Sequence, residues 1–167
     1  LEQEAAHHGL DQVLNAFQAD LEHLAISVRD YARWDDAYAY ALDRNDRFTQ
    51  SNLSAESLEN MGVDVVWMID THDHEILSLS ADSKRAQPIE RPASPELVDA
   101  LRQHLKQIKA SNGKSKPLDR LLQTPHGLMA FASHELLPSG GKGESHGMLL
   151  FGRFIDEAEL QRVRRIS

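Results

Sequence analysis

Apolar residues recur along the first forty positions in alternating steps of four and three: Leu10, Leu14, Phe17, Leu21, Leu24, Val28 and Tyr31. This spacing keeps one stripe on one side of an α-helix. It predicts a single helix from about Glu2 to Leu42, which at about 1.5 Å per residue would be about 60 Å long and would outrun its own domain. A four-three repeat held over about three heptads favours a coiled-coil-like partner, so a homodimer through this helix is expected. Continued past Tyr31, the same steps reach Asp35, Tyr38 and Leu42. A carboxylate thus falls where an apolar side chain is called for, and burying it is costly unless it is paired. Trp34 and Asp36 flank it, each about 100° around the helix. Asp35 reads either as a structural ion-pair or capping residue or as part of a signalling site.

Beyond Leu42 the pattern changes. Residues 43–47 are polar and loop-like. Ser54 then reads as the N-cap of a short helix, with Leu53 and Leu58 as its hydrophobic staple and Gly62 as its stop. From Val63 the period drops to two, which places Val63, Val65, Trp67 and Ile69 on one strand face and Val66 with Met68 on the other. A turn over 71–74 returns the chain as a second strand, 75–80. Residues 81–95 form a polar connection. Ser94-Pro95-Glu96 opens a helix striped by Leu97, Leu101, Leu105 and Ile108, ended by Ser111-Asn112-Gly113. Three strands follow over 119–123, 128–137 and 147–155, and the near-continuous apolar character of the last predicts a place mid-sheet. Asp156 and Glu159 imitate a capping box at the start of a closing helix, with Ile155 and Leu160 as staple. The fold class expected is α+β: a long N-terminal helix packed on a five-stranded antiparallel sheet, with further short helices. A single domain over 1–167 divides into a long helix (1–45), an α+β body (53–156) and a C-terminal helix (157–167).

Composition narrows the function. An apolar fraction of 41% and a charged fraction of 26% over 167 residues suit one globular domain. Eighteen basic against 26 acidic residues leave a net charge of -8, which argues against nucleic-acid binding. The absence of cysteine excludes disulfides and thiolate metal sites. The chain lacks an initiator Met and starts partway into a helical pattern, as expected of a segment of a longer protein.

Arg153 is the most informative single residue outside the opening stretch. Strand alternation puts it with Leu149, Phe151 and Ile155. A guanidinium there must meet an anion or reach the sheet edge. Asp35, Asp36 and Asp30 are the candidate partners within the chain; a carboxylate or phosphate ligand is the outside candidate, and snorkelling to solvent the third. His72, Asp73 and His74 lack a placed third ligand and read as a solvated turn, with no metal expected. His104 and His134 read as core-edge histidines. No serine elbow, Walker loop, dinucleotide fingerprint or zinc-protease motif occurs, so the chain is expected to be non-catalytic. Asp35 and Asp36 diverge on a helix and cannot act as an acid–base pair.

The run Asp30-Tyr31-Ala32-Arg33-Trp34-Asp35-Asp36-Ala37-Tyr38 resembles the type-4 CHASE domain. So do Phe48 with Asn52-Leu53, Gly62-Val63-Asp64 with its strand, and Gly152-Arg153. The first hairpin departs from that family's frequent Asp-x-x-Gly, since Asp70-Thr71-His72-Asp73 has no glycine, and a different turn geometry is expected. The resemblance implies a PAS- or Cache-like sheet and an input domain lying between two membrane helices, periplasmic or extracellular. It also implies a cytoplasmic diguanylate cyclase, phosphodiesterase or histidine kinase as output. The function expected is sensing of a small polar or anionic molecule, with no cofactor, passed on through the terminal helices. Its site, ligand-binding or a structural lock, would comprise Tyr31, Trp34, Asp35, Asp36, Tyr38, Trp67 and Arg153, with Asp35 or Asp36 paired to Arg153. The alternative is a ligand-free spacer that dimerises or meets a protein partner.

Overall fold

The computed structural model describes residues 11–12, 15–81, 89–110 and 121–166. Four helices come first: α1 (Gln18–Ala32), α2 (Asp35–Asp43), α3 (Asp46–Asn52) and α4 (Ala55–Met61). A hairpin of β1 (Val65–Ile69) and β2 (Glu75–Ser80) follows, then α5 (Pro95–Ala110). The chain closes with β3 (Leu121–Thr124), β4 (Gly127–Glu135), β5 (Met148–Phe154) and α6 (Glu157–Ile166). The five strands form one antiparallel sheet in the order β2-β1-β5-β4-β3. The last strand is therefore the central one, as its apolar run predicts. The α+β fold is as expected.

Period-two alternation divides the sheet into two faces. Val66, Met68, Leu149 and Phe151 point to the side covered by α1, whose Leu21, Leu24 and Val28, with Phe17 just before it, are buried among them. Val65, Trp67, Ile69 and Leu150 point to the other side, where Leu97 and Leu101 of α5 cover them. Burying Leu21, Leu24 and Val28 supplies roughly 2 kcal/mol each, so this part of the stripe is spent on the chain's own sheet. Leu10 and Leu14, and the helix stop at 111–113, lie outside the described residues.

The continuous helix expected to Leu42 is interrupted. Trp34 adopts an extended conformation (φ -87°, ψ 133°), and α2 starts after it. The carbonyl of Ala32, which an unbroken helix would offer to the amide of Asp36, accepts instead from the amide of Leu137 at 2.9 Å. The break also changes which face is buried. Ala37, Tyr40 and Ala41 face inward, Asp35 is exposed and Leu42 is 72% exposed. The four-three stripe thus ends at Tyr31, and Asp35 and Asp36 become the acidic first turn of α2, where the helix dipole favours them.

Helix α3 has no counterpart in the sequence reading; the Asn45 side chain caps it by accepting from the amide of Arg47. The other local signals hold. Ser54 caps α4, Gly62 takes the left-handed conformation after it, and Asp156 and Glu159 exchange amide bonds as a true capping box. The first hairpin turn keeps a glycine-like conformation without glycine: Asp73 has φ +66°. Asp70 holds that turn through the amides of His72 (2.8 Å) and His74 (2.9 Å). No described helix is long and apolar enough to cross a membrane.

Candidate functional site

The residues expected to form one site are distributed over four places. The first is the break between α1 and α2, which the β4–β5 loop clasps. Asp35 Oδ1 accepts from the amide of Ser139 at 2.8 Å. The Tyr38 hydroxyl donates to the carbonyl of Glu144 at 2.8 Å, and its ring stacks on His146 with centroids 3.4 Å apart. His146 Nδ1 lies 2.9 Å from the Tyr38 carbonyl. The Arg33 guanidinium lies against Gly141, leaving no room there for a Cβ. Asp35 is thus a loop-anchoring residue, and its partner is a backbone amide.

The second place is Arg153, which does share a face with Leu149 and Phe151 but does not pair with Asp35 or Asp36. Its Nη2 donates to Asp20 Oδ2 at 2.9 Å, and its Nη1 and Nη2 reach Glu159 at 3.2 and 3.3 Å. The expected lock is overturned because the helix break swings Asp35 towards the β4–β5 loop, while Asp20 lies earlier on α1. Burial disfavours the guanidinium charge, but Glu159, Asp20 and the buried Asp64 outweigh it and hold Arg153 above its ordinary pKa. Asp64 Oδ2 also accepts from the amide of Phe154, fixing the strand next to Arg153. The outcome is a cation on the central strand tied to α1 on one side and to α6 on the other. The sequence pattern alone does not name Asp20, Asp64 and Glu159 as its partners. A carboxylate inside the strand-entry run Gly62-Val63-Asp64, and a capping-box glutamate six residues after Arg153, were the available signals.

Trp67 is in the third place, on the opposite sheet face. Its indole N–H donates to Glu75 at 3.2 Å, and the Arg102 guanidinium sits 5.6 Å from its ring centroid. It packs under α5 and does not join the others.

Trp34 and Asp36 line a cleft of about 480 Å³ between α2 and α3, together with Asp43, Arg47, Phe48 and Asn52. A row of aromatic contacts leads inward from it. The Trp34 ring meets Phe48 at 6.1 Å and Tyr31 at 5.9 Å, and Tyr31 meets Phe151 of the central strand at 5.5 Å. Phe151 and Arg153 stand two residues apart on the same face of β5. The cleft wall is thus joined by packed rings to the strand that carries the clasp.

The hairpin histidines behave as turn residues: His74 Nδ1 lies 3.4 Å from Asp70, and Lys109 pairs with Asp73. Among the described residues no three His, Asp or Glu side chains group to hold a metal ion. His104 packs edge-on against Phe131 at 4.8 Å.

Comparison with known proteins gives two findings. The family model described as the CHASE4 domain matches residues 16–167. The chain is 27% identical, over all of its 167 residues, to the "Methanogenesis regulatory histidine kinase FilI" of Methanothrix harundinacea (strain 6Ac). It spans 18% of that protein's length.

Proposed function

The chain belongs to the CHASE4 domain family of sensory domains, and from that premise we propose that it is the extracytoplasmic, ligand-sensing input domain of a membrane-bound signalling protein. The likeness to a histidine kinase favours a kinase as output over a diguanylate cyclase or phosphodiesterase. The flanking membrane helices would continue from its two ends. The chemistry belongs to that output, and the present chain supplies the switch.

One observation carries the reading: Arg153 ties α1 to the closing helix α6 through Asp20 and Glu159. Signals that enter through one end of the chain and leave through the other must pass between these helices. A side chain bridging both is placed to set their relative position. The row Trp34–Tyr31–Phe151 offers a route by which a ligand held at α2 and α3 would bias the clasp, provided its affinity differs between clasp-open and clasp-closed states. Between sheet and helices the core side chains leave a pocket of about 260 Å³ beside Arg153, whose guanidinium is already held by Asp20 and Glu159, so the larger cleft outside α2 is the better candidate.

The test is a fusion of this chain, with its native flanking segments, to a histidine-kinase output. Arg153→Met and Glu159→Gln should change basal autophosphorylation several-fold in the same direction while the domain stays folded by circular dichroism. Basal output and ligand response both equal to wild type in the two folded variants would remove the clasp from signalling. The spacer reading now rests on residues before Phe17, because Phe17, Leu21, Leu24 and Val28 face the sheet.

A further inference from the structure

Building on the reading of the chain as a small-molecule sensor, we propose that the α2–α3 cleft binds a small organic cation, an alkylammonium of about the size of choline. The cleft's volume, about 480 Å³, falls within the range of small-molecule sites. Trp34 forms part of its wall, backed by the buried ring of Phe48. Trp34 is one of the few large apolar side chains left exposed among the described residues, at 38%, although an indole carries a large apolar area to bury. The extended conformation at the helix break is what turns it outward.

The charges select the ligand's sign. Asp36 and Asp43 contribute two negative charges and Arg47 one positive, so the lining carries a formal charge of -1. The Asp36 carboxylate makes no hydrogen bond or ion pair among the described residues, whereas that of Asp43 already accepts from the amide of Asn45 at 2.9 Å. An unpaired carboxylate and an indole lining one cleft repel anions and attract cations, the first by its charge and the second by the negative potential of its ring. The anionic ligand expected from Arg153 loses its anchor, because that guanidinium is occupied by Asp20 and Glu159. A monovalent cation matches the net charge of the cleft.

The experiment is calorimetric titration of the 167-residue chain with choline, and with its neutral isostere 3,3-dimethylbutan-1-ol, at low salt. Choline is expected to bind saturably and the alcohol at least about tenfold more weakly. Trp67 is buried on the far side of the sheet, so a change in tryptophan fluorescence would report on Trp34. Asp36→Asn should weaken choline about fivefold and Arg47→Gln should tighten it by a similar factor. These opposite signs are not produced by a merely structural role. Both residues are exposed, so the variants keep the fold, which spares the assignment from depending on Trp34→Ala. Absence of saturable binding below about 10 mM, equal binding of the alcohol, or indifference to both substitutions overturns the proposal. Stabilisation of the chain by an anion or a neutral compound instead would leave the sensor reading standing and remove this ligand class. Choline binding without any change in the output of a fused kinase would keep the site and remove the sensor reading.

Discussion

Replacing Arg153 with methionine separates the clasp into its two arms. Methionine keeps much of the stem that packs near Phe17, whose ring centroid is 5.9 Å from the guanidinium carbon, and removes only the charge and its donors. The Glu159 arm is the stronger. The side chains of Arg153 and Glu159 are 22% and 18% exposed, and two nitrogens reach the carboxylate. A partly buried charge-assisted pair of this kind contributes about 1.5–2 kcal/mol. The Asp20 side chain is 51% exposed, so solvent screening reduces its share to about 0.5 kcal/mol. With Asp64 left facing less positive charge, Arg153→Met should cost about 2–3 kcal/mol in all, or about 4–12 °C in Tm for a chain of this size. Urea unfolding followed by circular dichroism, run as two double-mutant cycles, apportions the loss. Arg153→Met with Glu159→Gln should show a coupling of about 1.5 kcal/mol, and with Asp20→Asn about 0.5 kcal/mol. Glutamine still accepts from the amide of Asp156, so the capping box survives in that variant. A Glu159 coupling below about 0.5 kcal/mol, or an Asp20 coupling exceeding it, would refute the weighting.

Two further outcomes follow from the turns. Asp70 is held below the ordinary carboxylate range, chiefly by the hydrogen bond from the His74 amide. The folded pKa is therefore lower than the unfolded one. Its stabilisation is present above about pH 4, the unfolded value, and is lost as pH falls through the folded value. The stability gap between wild type and Asp70→Asn should shrink as pH is lowered from about 5 to 2, and a gap that widens in acid unfolding curves would contradict the sign. Gly147 has φ +134°, and a Cβ there would meet the carbonyl oxygen of Ile69, a backbone atom that cannot swing aside. Gly147→Ala should therefore cost about 3 kcal/mol, whereas Gly140→Ala, with a Cβ in open space, should cost no more than about 1–2 kcal/mol of backbone strain; comparable denaturation midpoints for the two would refute the distinction.

Much of the fold was legible in short-range patterns, because they report local physics. Period-two alternation places Val65, Trp67 and Ile69 on one face and Val66 and Met68 on the other, and the apolar run of β5 puts it mid-sheet; it fails at Val63, which precedes β1 and packs with the Val66 face. Ser54, Gly62, Asp156 and Glu159 marked helix ends through bonds made within a few residues. The family's motif was equally visible, since it is a property of the string.

What depended on contacts more than 100 residues apart was decided by the tertiary structure alone. The stripe from Leu10 to Tyr31 carries no mark of a helix end, because the bond that ends α1 comes from Leu137. Once the helix breaks there, every later residue changes face: Asp35 goes to Ser139, Tyr38 to Glu144 and His146, and Trp34 to the cleft. Strand alternation shows that Arg153 must meet an anion or reach the sheet edge, and it meets anions. Which anion was undetermined, since strand alternation gives the direction of a side chain but not what another helix brings to meet it. Asp20 and Glu159 are set before it by the packing of α1 and α6 against the same central strand.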